Sequence, residues 1–441
     1  MSIPDSSRQF TRLTVGALFA RGAGLVGSFV ANIMIARALG ADGKGILTTL
    51  GVWTSILASL CTSGTYLAIV HELGARPANA RRLFRLVFPY LGVVAVLMTA
   101  AGGLFPPRLL GGEVPWNLFV LLFSAQAACS LSYAFLVGLQ SPSMVNWLLT
   151  FGYVSYPIAM GLLLVFRGSL DIRTVAVCMV ILPILMASGG LARVYSLARQ
   201  NTAVCPPVLK WGGFSRYAAK SVIMAVGSML YLQIVMMVLS ARGTPADVGI
   251  FSVAVMLVDT SLVIPAMITS FALPRWSGLP AAEVFIRASR VMRLTHPFVL
   301  AVALVAAVMG ALFAEPVFGR EFAGVGQLVL ILVPGSWAAT GISVVSTSFL
   351  ARDRHAVPTA LAWVGVMLTG GIAWGLFPVY GCKGAAVAVS LSRVAVLFCA
   401  WRLFRRATTA PAHGMWIPGR EDFQAWWGIV RSALVRLRGQ A

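Results

Sequence analysis

The stretch GSFVANIMIARALGADGKGILTTLGVWTSILASL (residues 27–60) places two apolar runs on either side of a short turn that contains glycine and charged residues. Each run belongs to a segment long enough to cross a hydrocarbon layer, which takes about 20 residues in a helix. A segment inside a bilayer must satisfy its backbone hydrogen bonds internally, and a helix does so. The stretch therefore predicts a pair of membrane-spanning helices joined by a short turn.

The same pattern continues along the whole chain. Of its 441 residues, 59% are hydrophobic and 11% are charged, whereas a soluble globular protein carries about 25% charged residues. The connections between apolar runs are too short to hold a soluble catalytic domain. We predict an all-α, polytopic membrane protein with twelve spans, at residues 12–38, 45–71, 84–105, 115–138, 143–167, 173–194, 214–240, 248–273, 293–315, 324–350, 355–379 and 383–404.

The basic residues predict how the chain is oriented. With the N-terminus inside, 24 of the 34 Lys and Arg residues fall on inner segments or at the inner ends of spans, 8 fall on outer segments or at outer ends, and 2, Arg21 and Arg393, lie deeper within spans. Because basic residues are concentrated in cytoplasmic loops, both termini are predicted to be cytoplasmic. The net charge of +21 is interpreted as a topology signal, so nucleic acid is not an expected partner.

A short internal match divides the chain into two halves of six helices. Gly45 follows the first predicted helix and Gly249 follows the seventh, each before isoleucine. An even number of helices per half predicts parallel repeats related by an axis along the membrane normal. The tail segment DFQAWWGIVRSALVRLR predicts an interfacial amphipathic helix. The predicted domains are an N-terminal lobe (1–194), a cytoplasmic linker (195–213), a C-terminal lobe (214–404) and a cytoplasmic tail (405–441).

Four segments carry a family resemblance: ARALGADGKGI (36–46), GIFSVAVMLVD (249–259), VFGREFAG (317–324) and VYGCKGAAVAVSLSR (379–393). In this order they resemble a polysaccharide flippase (O-antigen type, Wzx-like) of the multidrug/oligosaccharidyl-lipid/polysaccharide (MOP) exporter superfamily. The resemblance implies two six-helix lobes around a V-shaped cavity that opens alternately to each side. It implies a polyprenyl-pyrophosphate-linked oligosaccharide as substrate, flipped across a bacterial inner membrane without covalent chemistry. A polysaccharide polymerase and glycosyltransferases are then candidate partners, beside the lipid-linked glycan and the bilayer.

A pyrophosphate passing through hydrocarbon needs compensating charge, so cations within spans are the first candidate ligands. Arg21 lies in the first helix, and its guanidinium is suited to binding phosphate oxygens in a fork. Ser28 and Asn32 follow at i+7 and i+11, on the same helix face. The alternative interpretation is that Arg21 extends to the cytoplasmic headgroups.

The seventh helix supplies a second set of candidate substrate-binding residues. Ser228, Tyr231 and Gln233 are polar positions within an apolar span. Lys220 lies near its cytoplasmic end, where it is a candidate guide for an anionic headgroup. The alternative interpretation of Lys220 is a lysine that only sets topology.

Two opposite charges lie deep in the second half. Asp259 falls in the eighth span and Arg393 in the twelfth. Because an unpaired charge at this depth is costly, they predict either a structural ion pair or a coupling site. In the second case Asp259 would bind H⁺ or Na⁺, and the sequence does not choose between the ions. No metal spacing, other cofactor motif or catalytic motif is identified, so we expect a transporter and not an enzyme.

Three rival functions remain. A multidrug exporter of the same superfamily would carry organic cations, and such pumps place carboxylates in their cavities. Here the deep charge of the first half is Arg21, which favours an anionic substrate. A membrane polysaccharide polymerase or ligase would need an exposed catalytic loop, for which the short, acid-poor outer loops leave little room. A scaffold subunit without transport of its own stays open.

Overall fold

The computed structural model describes residues 4–100, 114–200 and 211–407, with side chains described from Gly22 onward at most positions. Regular structure in these ranges is helical. The helices are α1 (Pro4–Ala75), α2 (Ala80–Ala100), α3 (Trp116–Gly138), α4 (Pro142–Arg167), α5 (Ile172–Gln200), α6 (Trp211–Arg242), α7 (Pro245–Asp259), α8 (Val263–Trp276), α9 (Ala281–Phe318), α10 (Val325–Leu350) and α11 (Ala356–Ala407).

Two of the helices are long enough to cross a membrane twice. Within the described residues, ten helical segments are long and apolar enough to span, and the segments Gly22–Gly74 and Ala356–Ala407 have 53 and 52 residues. One span takes about 20 residues. Each long segment contains a non-helical glycine, Gly40 (φ 68°, ψ −171°) in α1 and Gly381 (φ 56°, ψ −141°) in α11. Counting each as two spans gives the twelve expected, and the prediction of an all-α, multi-pass membrane protein is confirmed.

The eighth predicted span is interrupted near its middle. Helix α7 ends at Asp259, the 3₁₀ turn Thr260–Leu262 follows, and α8 begins at Val263. Short 3₁₀ stretches inside a helix often mark a functional hinge. Asp259 therefore lies beside a local change of helix geometry.

The chain forms two compact units. Unit 1 is Met1–Ser252 with Pro316–Phe322, and unit 2 is Val253–Glu315 with Ala323–Ala441. Helix α6 thus groups with unit 1, whereas its predicted place is the C-terminal lobe (214–404). The lobe boundaries and the linker stay predictions, and the amphipathic helix of the tail lies outside the described residues.

Each unit has its own packed interior. In unit 1, α1 packs against α3, α4 and α6. In unit 2, α10 packs against α11 and α8. The Phe285 ring of unit 2 makes edge contacts with Phe349 and Phe404, at centroid distances of 5.8 and 4.9 Å.

Within unit 1, the turn after Gly40 touches the start of α7. A Cβ atom added at Gly45 would lie 1.6 Å from the carbonyl oxygen of Pro245, and one at Gly249 would lie 2.1 Å from that of Ala41. The two backbones are therefore in direct contact, which glycine allows between membrane helices. We call these four residues the glycine seam.

The seam is reciprocal in sequence. Gly45 and Gly249 are 204 positions apart, as are Ala41 and Pro245. The Thr48 and Ser252 hydroxyl oxygens, also 204 positions apart, approach to 3.5 Å. Such reciprocal contacts are the pattern that a local two-fold axis produces. Gly45 therefore lies against the start of α7, and Gly249, its match in the predicted repeat, lies against the turn after Gly40.

A second contact fixes the same turn. Segment 316–322 belongs to unit 1. The Ala41 backbone N–H donates to the Glu321 carboxylate (N···O 2.5 Å), and the Arg37 guanidinium donates to the carbonyl oxygens of Val317 (2.8 Å) and Pro316. A carboxylate near a helix N-terminus and a cation near a helix C-terminus both interact favourably with the helix dipole. The turn is thereby held at both of its sides.

Candidate substrate cavity

Unit 1 contains an open cavity of about 710 Å³ between α1, α3, α4 and α5. Cavities of about 300–1,000 Å³ are typical of sites for small molecules. Most of the lining is apolar, with polar groups contributed by each half of α1, by α3 and by α4. The cavity is thus an apolar chamber with a few polar groups.

The positive charge in the cavity comes from Lys44, which directly precedes Gly45 of the glycine seam. Lys44 is 8% exposed, and its Nζ donates to Asn32 Oδ1. Asn32 in turn donates through Nδ2 to the Ser28 carbonyl oxygen (2.7 Å). No carboxylate is found among the described residues that line the cavity, so its charge is positive.

Two of the predicted site residues meet in this cavity. Ser28 and Asn32 both line it, on the helix face that their spacing indicated. Arg21 belongs to α1, eleven positions before Asn32, and its side chain lies outside the described residues. The assignment of Arg21, Ser28 and Asn32 to substrate binding stays a prediction.

Sequence reasoning missed Lys44, which it counted among the outer-loop cations that set topology. A signal was available in its position, since Lys44 lies between Gly43 and Gly45 directly before an apolar run. A lysine flanked by glycines in a short turn can approach a neighbouring helix closely. The turn in fact carries this side chain into the protein interior.

The predicted residues of the seventh span lie elsewhere. Ser228 is exposed and its hydroxyl donates to the Met224 carbonyl oxygen (2.9 Å). Tyr231 and Gln233 are partly buried on α6, and neither lines the cavity. The Lys220 side chain lies outside the described residues. The roles assigned to these four residues stay predictions.

Unit 2 contains both members of the predicted charge pair. Asp259 is exposed and Arg393 is half-buried, and the Arg393 charge interacts electrostatically with the Asp259 carboxylate. In the described part of the chain they form no ion pair within 4 Å. Structural pair and coupling site therefore both stay open. The described residues also contain no group of three His, Cys, Asp or Glu side chains that could hold a metal.

No protein-family model matches this chain, and no curated protein matches it. Solved structures do match. An inward-facing multidrug resistance MATE family transporter of the MOP superfamily has a TM-score of 0.65 at 12% identity, covering 89% of this chain and 97% of that one. The lipid II flippase MurJ in an inward closed conformation has a TM-score of 0.61 at 12% identity, covering 92% of this chain and 89% of that one.

A third solved structure, the Vibrio cholerae MATE transporter VcmN in its bent form, gives a TM-score of 0.59 at 17% identity, covering 91% of this chain and 96% of that one. At such low identity these likenesses establish the fold alone. The chain shares the fold of these MATE and MurJ structures, as the sequence resemblance implied. Its narrower likeness to O-antigen flippases stays a prediction.

Proposed function

We propose that this protein is a membrane transporter that flips a polyprenyl-pyrophosphate-linked oligosaccharide from the cytoplasmic to the outer leaflet by alternating access. The observation that carries the proposal is the buried Lys44 in a cavity lined by no described carboxylate. Such a cavity attracts a phosphate group and repels an organic cation. A lipid II flippase is among the structures that share this fold, so the fold is compatible with flipping a lipid.

The side chains around Lys44 suit a phosphate ligand. An ammonium group has three donors, and one of them is used by Asn32. The other two remain for phosphate oxygens. Ser28 holds the Asn32 amide, and this fixes the direction in which the lysine is presented. Lys44 therefore binds the pyrophosphate, and Asn32 is its positioning residue.

Arg21 is the second proposed pyrophosphate ligand. Eleven residues of helix separate it from Asn32, which corresponds to about 16 Å at 1.5 Å per residue. With the N-terminus in the cytoplasm, Arg21 lies on the entry side and Lys44 on the exit side. The pyrophosphate then passes from one cation to the other as it crosses the membrane.

Energy for the cycle is proposed to enter through unit 2. Asp259 lies beside the 3₁₀ break of the eighth span and interacts with the Arg393 charge. Binding of H⁺ or Na⁺ to the carboxylate would weaken that interaction, and the break would transmit the change to the helix. This part of the proposal keeps the structural ion pair as its alternative.

The test is a leaflet-resolved assay of lipid-linked oligosaccharide in cells depleted of this protein and complemented with variants. Lys44→Gln should leave the lipid on the cytoplasmic leaflet, Lys44→Arg should restore part of the flipping, and the exposed Lys383→Gln should behave as wild type. Normal distribution of the lipid in depleted cells would overturn the proposed function. Normal flipping by Lys44→Gln would remove Lys44 from it.

A multidrug exporter of the same superfamily is the second candidate. Met179 and Met186 line the cavity, and flexible methionines are common in sites that accept varied apolar ligands. Two of the three solved structures compared above are MATE transporters. Altered sensitivity to cationic drugs in depleted cells, with normal distribution of lipid-linked oligosaccharide, would favour this candidate.

A further inference from the structure

Gln126 is an unused polar group in the cavity wall. It lies near the middle of α3 and lines the cavity. Its Oε1 atom is buried and has no hydrogen-bond partner among the described residues. Buried polar atoms are nearly always paired because burying them unpaired is costly. The Gln126 amide therefore points to a ligand that carries hydrogen-bonding groups.

Tyr153 adds an aromatic surface that helix α1 holds in place. A Cβ atom added at Gly24 would lie 2.8 Å from the Tyr153 ring, and one at Gly27 would lie 2.2 Å from the Tyr153 carbonyl oxygen. The two glycines thus let α1 and α4 pack closely, with one side of the Tyr153 ring lying against α1 at Gly24. The residue nevertheless stays 43% exposed and lines the cavity.

The cation and the amide lie at different depths. Alternating helices make α3 run in the same direction as the second half of α1. The Thr62 and Ser130 hydroxyl oxygens lie 3.4 Å apart, so Gln126 lies level with Ala58, four residues before Thr62. Lys44 lies fourteen residues before Ala58, so the backbones of the two residues differ in depth by about 21 Å at 1.5 Å per residue. The Lys44 side chain covers part of this distance, since its Nζ reaches Asn32. The cavity therefore suits a ligand that is anionic at one end and polar but uncharged at the other.

We propose that the cavity binds the pyrophosphate together with the first sugar of the substrate, and that Gln126 is the specificity-determining residue for that sugar. This inference rests on the proposed function. A sugar presents a face of C–H groups to the Tyr153 ring and hydroxyl groups to the Gln126 amide, which both donates and accepts hydrogen bonds. A site built around such bonds discriminates strongly against a molecule that lacks the matching group.

The experiment measures binding to the full-length protein in lipid nanodiscs. The probes are farnesyl pyrophosphate and four derivatives that carry glucose, galactose, N-acetylglucosamine or N-acetylgalactosamine. Wild type should bind at least one derivative about tenfold more tightly than farnesyl pyrophosphate, the size expected of one or two hydrogen bonds. Gln126→Leu should abolish this gain and leave the affinity for farnesyl pyrophosphate unchanged.

Companion variants separate the ring from the amide. Tyr153→Phe keeps the aromatic surface and should keep the sugar gain, whereas Tyr153→Ala should reduce it. Ser124→Ala is the matched control on α3, since Ser124 bonds to the Val120 carbonyl oxygen and does not line the cavity. It should change neither affinity.

Two results would overturn the inference while leaving the proposed function intact. One is a wild type that binds farnesyl pyrophosphate but no derivative more tightly. The other is a Gln126→Leu variant that weakens every probe equally. Dodecyl glycosides of the same four sugars, which lack phosphate, test the two proposals separately. If the glycosides bind in a Gln126-dependent way and farnesyl pyrophosphate does not bind, the sugar site stands and the proposed function fails.

Discussion

The turn around Gly40 and the turn around Gly381 share the same local sequence and backbone features. Both glycines have positive φ, 68° and 56°, inside a helix long enough to span twice. Both are followed by a lysine–glycine pair, at residues 44–45 and 383–384. Positive φ is accessible to glycine at little cost, so each turn reverses the chain with few residues.

The surroundings of the two turns differ. At the first turn, the glycine seam and Glu321 cover the backbone, and Lys44 is 8% exposed. At the second, no described atom lies within 4 Å of a Cβ added at Gly381, and Lys383 is exposed. A positive-φ glycine followed by a lysine–glycine pair therefore yields a cavity-lining cation at one turn and a surface lysine at the other. The tertiary contacts that cover the turn decide which of the two results.

The largest effect is expected from breaking the covered turn itself. Gly45→Leu places side-chain atoms where the Pro245 carbonyl now lies, so the backbones must separate. We expect a loss of at least about 3 kcal/mol, the upper range for overpacking, and no transport. Gly74→Ala on the same helix has open space and is the control for thermal unfolding in detergent. A Gly45→Leu protein with wild-type melting and transport would show that the seam does not exist.

The two positive-φ glycines give a direct comparison. Both glycines combine positive φ with an extended ψ, a region almost confined to glycine, so an alanine at either position costs about 1–3 kcal/mol of backbone strain. Gly40→Ala should cost more than Gly381→Ala, because its Cβ would also lie 3.1 Å from Glu321 Oε2. Melting temperatures of the two variants measure the difference. Equal losses would mean that the contact between Glu321 and the first turn adds nothing to stability.

Glu321→Gln tests how much the negative charge contributes to the contact between Glu321 and the Ala41 N–H. The amide oxygen can still accept from the Ala41 N–H, but the negative charge at the helix start is lost, for about 0.5–1 kcal/mol. Glu321→Ala removes both and should cost more. Double variants with Gly40→Ala should be non-additive, since the two residues touch. Additive losses would place Glu321 outside the mechanism that holds the turn.

The smallest effect is expected at the open turn. Lys383→Gln removes an exposed charge and should change stability by less than about 0.5 kcal/mol, with normal transport. Lys44→Gln changes the same residue type in the covered turn and should abolish transport. If the two variants behave alike, the contrast between the turns has no functional meaning.

Much of the fold could be predicted from hydropathy because the bilayer imposes one length on every span. Helix ends could not. Helix α9 begins at Ala281 rather than at the predicted 293, since residues such as Arg287 and Arg290 continue the helix beyond its apolar part. Hydropathy detects the apolar part alone, and helical hydrogen bonding does not stop at the membrane edge.

The cavity was only partly predictable. The spacing of Ser28 and Asn32 indicated a shared face, because seven and eleven residues from Arg21 return to one side of a helix. The inward position of Lys44 depends on contacts with α7 and segment 316–322, far away in sequence. Hydropathy likewise counts spans without showing which helices pack together, and so it did not show that α6 groups with unit 1.

The reciprocal seam also joins two different electrostatic surroundings. Position 248 is the counterpart of Lys44 under the 204-residue offset, and it holds a buried valine, 1% exposed. The same backbone contact thus places a cation beside the cavity on the α1 side and an apolar side chain on the α7 side. Because the contact is nearly symmetrical and the charge beside it is not, an anion is drawn to one side of an otherwise two-fold arrangement.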